Sequence, residues 1–131
     1  MCGRFVGYRR LDELKEIFPI DRSACEVAAN YNVAPSQEIL AIFKQKGQNW
    51  LDKFHWGLVP FWAKDPSIGN RMINARAETI AEKPSFKNAF KKRRCLIIAD
   101  GFCEWKGPKG QKQPLFITLP DKKPFAFAGL W

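Results

Sequence analysis

No stretch of this 131-residue chain approaches the roughly 18 consecutive apolar residues that a membrane-crossing helix needs. The N-terminus lacks the basic-then-apolar order of a secretory signal. Histidine occurs once, at His55, and the four cysteines (Cys2, Cys25, Cys95, Cys103) include no pair two residues apart. That argues against a zinc site, and no motif asks for a cofactor. No internal repeat or low-complexity tract is present. The expected setting is therefore cytoplasmic or nuclear, with no membrane, no metal, no cofactor and thiols kept free by a reducing compartment.

What is present is apolar and basic. The chain is 46% hydrophobic and 14% aromatic, enough for the core of one domain. Its net charge of +9 is unevenly spread. Residues 1–65 carry 9 basic and 8 acidic side chains, whereas residues 66–131 carry 13 and 5. Basic excess beside five Trp and eleven Phe suggests a polyanionic partner whose unpaired bases stack on aromatic faces. A solvated basic surface around an aromatic core is the competing explanation.

Taken in order, Leu11, Leu14, Ile17 and Phe18 recur at helical spacing until Pro19 stops the helix. Residues 30–36 read as an extended loop. Glu38–Phe43 reads as a strand, followed by a turn at 46–49 and a second strand through Phe54–Leu58. A loop rich in Trp, Pro and Gly spans 60–70. Ser85–Arg94 predicts a short basic helix docked through Phe86 and Phe90. Cys95–Ala99 is a buried strand that Asp100–Trp105 continues, and Pro114–Leu119 and Phe125–Trp131 are two more. About five strands and one or two short helices make the fold class α+β and mostly antiparallel. The apolar last strand, without a tail, implies an open sheet edge and an incomplete domain.

The candidate chemistry begins at Cys2. Removal of Met1, which a small second residue permits, leaves an α-amine beside a thiol. Such a 1,2-aminothiol condenses with an aldehyde through its amine, and its thiol then closes a thiazolidine ring. An α-amine pKa of about 7.7–8.0 leaves much of it nucleophilic at neutral pH. A second-position cysteine can equally be idle. Carbinolamine formation and dehydration need a proton shuttle, which Glu104 between Cys103 and Trp105 would supply; the alternative is a structural carboxylate. Asn74 suits an amide that fixes a reacting oxygen, or a turn. Arg4 and Arg76 suit bidentate phosphate contacts, or ion pairs. Trp62 suits a stacking surface, or core packing. His55 and the other cysteines read as structural.

Five segments in order resemble one family: Met1-Cys2-Gly3-Arg4-Phe5, Tyr31-Asn32-Val33-Ala34-Pro35, Trp56-Gly57-Leu58-Val59-Pro60, Asn74-Ala75-Arg76-Ala77-Glu78-Thr79 and Ala99-Asp100-Gly101-Phe102-Cys103-Glu104-Trp105. Together they resemble the SOS response-associated peptidase (SRAP) family. The resemblance implies one domain over 1–131 with a curved, barrel-like antiparallel sheet and a positive groove. It implies binding of single-stranded DNA at abasic sites and self-crosslinking through Cys2 as a thiazolidine. Glu104 would transfer protons and Asn74 would position the sugar. Arg4 and Arg76 would hold phosphates, and Pro35 and Trp62 would wedge and stack the strand. It also implies an abasic-site processing enzyme with peptidase or lyase chemistry at the same cysteine, located in the bacterial cytoplasm and at the nucleoid when DNA is bound. The family has a further C-terminal portion with a catalytic histidine that His55 does not match, so the chain reads as the N-terminal part of that domain. A non-covalent single-strand-binding module and an N-terminal-cysteine peptidase are the alternative functions.

Overall fold

The computed structural model describes residues 2–131, so the expected removal of Met1 lies outside the described residues. The elements in order are β1 (Phe5–Gly7), α1 (Leu11–Ile17), β2 (Arg22–Ser23), β3 (Asn30–Val33), β4 (Glu38–Gln45) and β5 (Gln48–His55). A 3-10 helix (Pro66–Arg71) comes next, then α2 (Pro84–Lys92), β6 (Arg94–Ala99), β7 (Gly101–Lys106), β8 (Gln113–Ile117) and β9 (Phe125–Leu130). The strands form a four-stranded sheet in the order β3-β1-β7-β8 and a five-stranded sheet in the order β2-β5-β4-β6-β9. Among the described residues, only β2 and β5 run parallel.

The α+β, mostly antiparallel class expected from the sequence is thus what folds, with curved sheets that do not close into a barrel. The expected count of about five strands was low. β1, β2 and β3 are two to four residues long, too short to show a period, and only their neighbours make them strands. Residues 30–36, expected as loop, supply β3.

β4 lies between β5 and β6, and Ala41, Ile42 and Phe43 in succession are buried. A strand covered on both faces has no solvent side, hence its unbroken apolar run. β4 and β5 meet through Lys46 and Gly47, whose φ values of 48° and 80° are the left-handed pair a tight two-residue hairpin requires. β5 therefore begins at Gln48 and not near Phe54.

Asp100 breaks the run from 95 to 105, so β6 and β7 belong to different sheets. Its side chain is 1% exposed and accepts from Tyr8 N–H at 2.7 Å and Arg9 Nε–H at 2.9 Å. The two sheets face each other across Phe5, Val33, Ile39, Trp56 and Ala99, with Phe102, Phe125, Phe127 and Cys2 packed against this cluster. The helix expected at 11–18 forms, but Leu11, Leu14 and Phe18 dock while Ile17 is 45% exposed. In α2, Phe86 and Ala89 are the docked residues and Phe90 is 37% exposed. β8 and β9 are sheet edges, as the apolar last segment suggested. Pro114 sits in the edge strand β8, where a missing N–H costs no ladder bond.

Candidate functional site

β1 pairs with β7 through Phe5↔Phe102, and the Cys103 N–H donates to the Arg4 carbonyl at 2.9 Å. This ladder draws the N-terminal residues along β7 and sets Cys2 near Cys103 and Glu104. Asn74 arrives by another route. The Trp56 Nε1–H donates to the Ile73 carbonyl at 2.8 Å, and the Leu58 N–H donates to the Met72 carbonyl at 3.1 Å. The two segments close so tightly that a Cβ on Gly57 would lie 2.6 Å from the Gly69 carbonyl oxygen, and Gly57 itself has φ +143°. A side chain there would be strained twice over, which is why glycine occupies it. The segment thus held ends at Asn74, whose Nδ2 donates to the Cys2 carbonyl at 2.8 Å.

The result is a cleft of about 470 Å³ lined by Cys2, Asn74, Arg76, Thr79 and Lys83 over a floor of Phe86, Phe102 and Phe127. A larger cavity of about 840 Å³ adjoins it and shares Cys2, Asn74, Ala75, Phe86 and Phe127. Burial pushes the Cys2 thiol above its ordinary pKa, and the Glu104 carboxylate raises it further. The Cys2 thiol donates to the Arg4 carbonyl at 3.6 Å. Cys95, buried in the sheet, is pushed up to about 11 by desolvation alone. Among the described residues, no three His, Cys, Asp or Glu side chains gather as metal ligands would.

Of the residues singled out in the sequence, Cys2, Asn74 and Arg76 share the cleft, and Glu104 acts on the same thiol. Arg4, Pro35 and Trp62 do not line it. Arg4 Nη1 donates to Asn32 Oδ1 at 3.1 Å on β3. Pro35 leads into the turn after β3, where Ser36 (φ 71°) bonds to the Trp56 carbonyl and to Asn70. Trp62 is 48% exposed beside Phe61 at 72%, so it lies on the surface and not in the core. Sequence reasoning missed Thr79, Lys83 and the aromatic floor. Lys83 could have been found, because Pro84 marks a helix start and places Lys83 at its N-terminus. The phenylalanines could not, since three elements supply them.

The family model of the SOS response associated peptidase (SRAP) matches residues 1–131. Abasic site processing protein YoaM of Bacillus subtilis is 50% identical over 134 residues, covering 100% of this chain and 59% of that protein. Abasic site processing protein YedK of Escherichia coli is 34% identical over 138 residues, covering 99% of this chain and 59% of that protein. A crystal structure of a protein from Bacteroides thetaiotaomicron superposes with a TM-score of 0.85 at 26% identity, over 98% of this chain and 59% of the other. The chain spans about three fifths of the length of each of these relatives.

Proposed function

Because the chain belongs to the SOS response-associated peptidase family, we propose that it processes abasic sites in single-stranded DNA by capturing them covalently on Cys2. The carrying observation is the shared cleft: a thiol, an amide bonded to the backbone of that same cysteine, and the cations Arg76 and Lys83 in about 470 Å³. A ring-opened deoxyribose brings an aldehyde for the thiol and its neighbouring amine, and a flanking phosphate for the cations.

The chemistry follows from the order in which the nucleophiles become available. Burial raises the Cys2 thiol's pKa, which favours its protonated form. The α-amine exposed by loss of Met1, with a pKa of about 7.7–8.0, is therefore the first nucleophile. It adds to the aldehyde carbon to form a carbinolamine, and loss of one water gives the imine. The sulfur then adds to the imine carbon while the thiol proton passes to the nitrogen, closing the five-membered ring. The net change is one amine, one thiol and one aldehyde joined, with one water released. Glu104 serves as the acid that protonates the departing hydroxyl and as the base that takes protons back. Asn74 holds the Cys2 backbone so that amine and thiol face one carbon, and Arg76 holds the adjoining phosphate. No separate cofactor enters.

A denaturing gel tests this reading. Wild type mixed with a single strand bearing one abasic site should give a shifted band. Cys2→Ala, and wild type with the intact strand, should give none. An equal band for Cys2→Ala would refute capture by this residue. No band for wild type that has lost Met1, with DNA bound under native conditions, would establish the non-covalent module instead.

A further inference from the structure

The cleft is one end of a longer feature. Lys83, the N-cap of α2, and Lys87 and Lys91 within the helix are spaced by four residues, so they follow one face at about 6 Å per step. Arg94, three residues beyond Lys91, opens β6 just past the end of α2. The buried residues Phe86 and Ala89 lie on the other side of the helix and turn this stripe outward. Lys83, Lys87, Lys91 and Arg94 are exposed, and none makes an ion pair among the described residues. Lys83 lines the cleft together with Cys2, so the stripe begins at the nucleophile and leads away from it.

A row of uncompensated like charges one helical turn apart destabilises an isolated helix by a few tenths of a kcal/mol per pair. Here α2 tolerates two such pairs in succession. The spacing and sign suit successive phosphates of an extended single strand, and a lysine can follow a mobile phosphate as a point charge without a bidentate geometry.

We propose that the Lys83–Lys87–Lys91 stripe is the track for the sugar-phosphate backbone on one side of the lesion, guiding that flank out of the Cys2 cleft along α2. The proposal rests on the DNA reading above and adds the surface that carries the flank.

The test uses a short single strand whose central sugar is a tetrahydrofuran, which mimics an abasic site but has no aldehyde to trap. Its affinity is measured by fluorescence anisotropy across a salt series. Replacing all three lysines (Lys83→Gln, Lys87→Gln, Lys91→Gln) should lower the slope of log affinity against log salt by about 2, because each phosphate contact on a single strand contributes about 0.7. A matched control, Lys15→Gln with Lys122→Gln and Lys123→Gln, removes the same charge at the far end of β1, where Arg9 bonds the Lys122 carbonyl; it should leave the slope near that of wild type. Strands lengthened on one side of the lesion at a time should show the gain from one side vanish in the stripe variant and the gain from the other side persist. An unchanged slope, an equal fall in the control, or equal loss on both sides would overturn the track. Failure of the covalent reading looks different: wild type would bind this strand yet give no crosslink with an authentic abasic site. If wild type binds no strand at all, both proposals fall together.

Discussion

Asp100→Ala removes a single carboxylate whose loss the rest of the molecule has no means to repair. The side chain is 1% exposed and accepts two hydrogen bonds, from the Tyr8 N–H and from Arg9 Nε–H. Without it, a backbone N–H and one edge of a guanidinium are left facing a space that water does not reach easily. Breaking a buried ion pair by deleting one partner costs about 3–5 kcal/mol. Arg9 is 23% exposed and keeps the Lys122 carbonyl at 2.9 Å and Glu13 at 3.4 Å, which places the expected loss at the low end, about 3 kcal/mol. With an unfolding entropy of about 2.1 cal/mol/K per residue, a chain of this length should lose about 11 °C in Tm. The assay is denaturant unfolding of wild type, Asp100→Ala, Arg9→Ala and the double variant. The double variant should be less destabilised than the sum of the singles by about 1 kcal/mol or more, since they break one interaction. A loss below about 1 kcal/mol for Asp100→Ala, or strict additivity, would refute the view that this pair joins the β6–β7 break to the start of α1.

Further outcomes follow from the site and from the buried thiol. Asn74→Ala removes the bond to the Cys2 carbonyl; at about 1 kcal/mol for a neutral hydrogen bond, capture under single-turnover conditions should slow about fivefold or more. An unchanged rate would mean that the bond does not position the cysteine. Cys95 in the folded protein titrates near 11, against 9.0 for the unperturbed thiol. Its folded-state pKa is raised, so its stabilising contribution is complete below pH 9.0 and is lost as pH rises toward 11. Within that window stability should fall by about 1.4 kcal/mol per pH unit from this group. Denaturant midpoints should show this slope flatten in Cys95→Ala, and an equal slope in both proteins would contradict it.

The local elements were legible because their causes are local. Pro19 ends α1, Lys46-Gly47 makes the β4–β5 hairpin, and the unbroken apolar run of β4 announces a strand covered on both faces. The proposal for Cys2 has a local cause too, since an α-amine next to a thiol is a property of one residue once Met1 is removed. The sequence also placed an excess of charge in its second half, and six of those thirteen basic residues lie in residues 83–94, in and beside α2. Other properties depend on contacts between residues far apart in the chain, and no period reports those. β1 and β3 are strands only because β7 and β1 offer them ladders. Asp100 reads as part of a strand until its partners, 91 and 92 residues away, show that it is where the chain changes sheets. Asn74 and Cys2 are 72 residues apart, and only the Trp56–Ile73 bond and the Gly57–Gly69 approach bring the amide onto the cysteine. The candidate groups were thus determined by residue type, and the cleft that brings Cys2, Asn74 and Arg76 together was decided by tertiary packing.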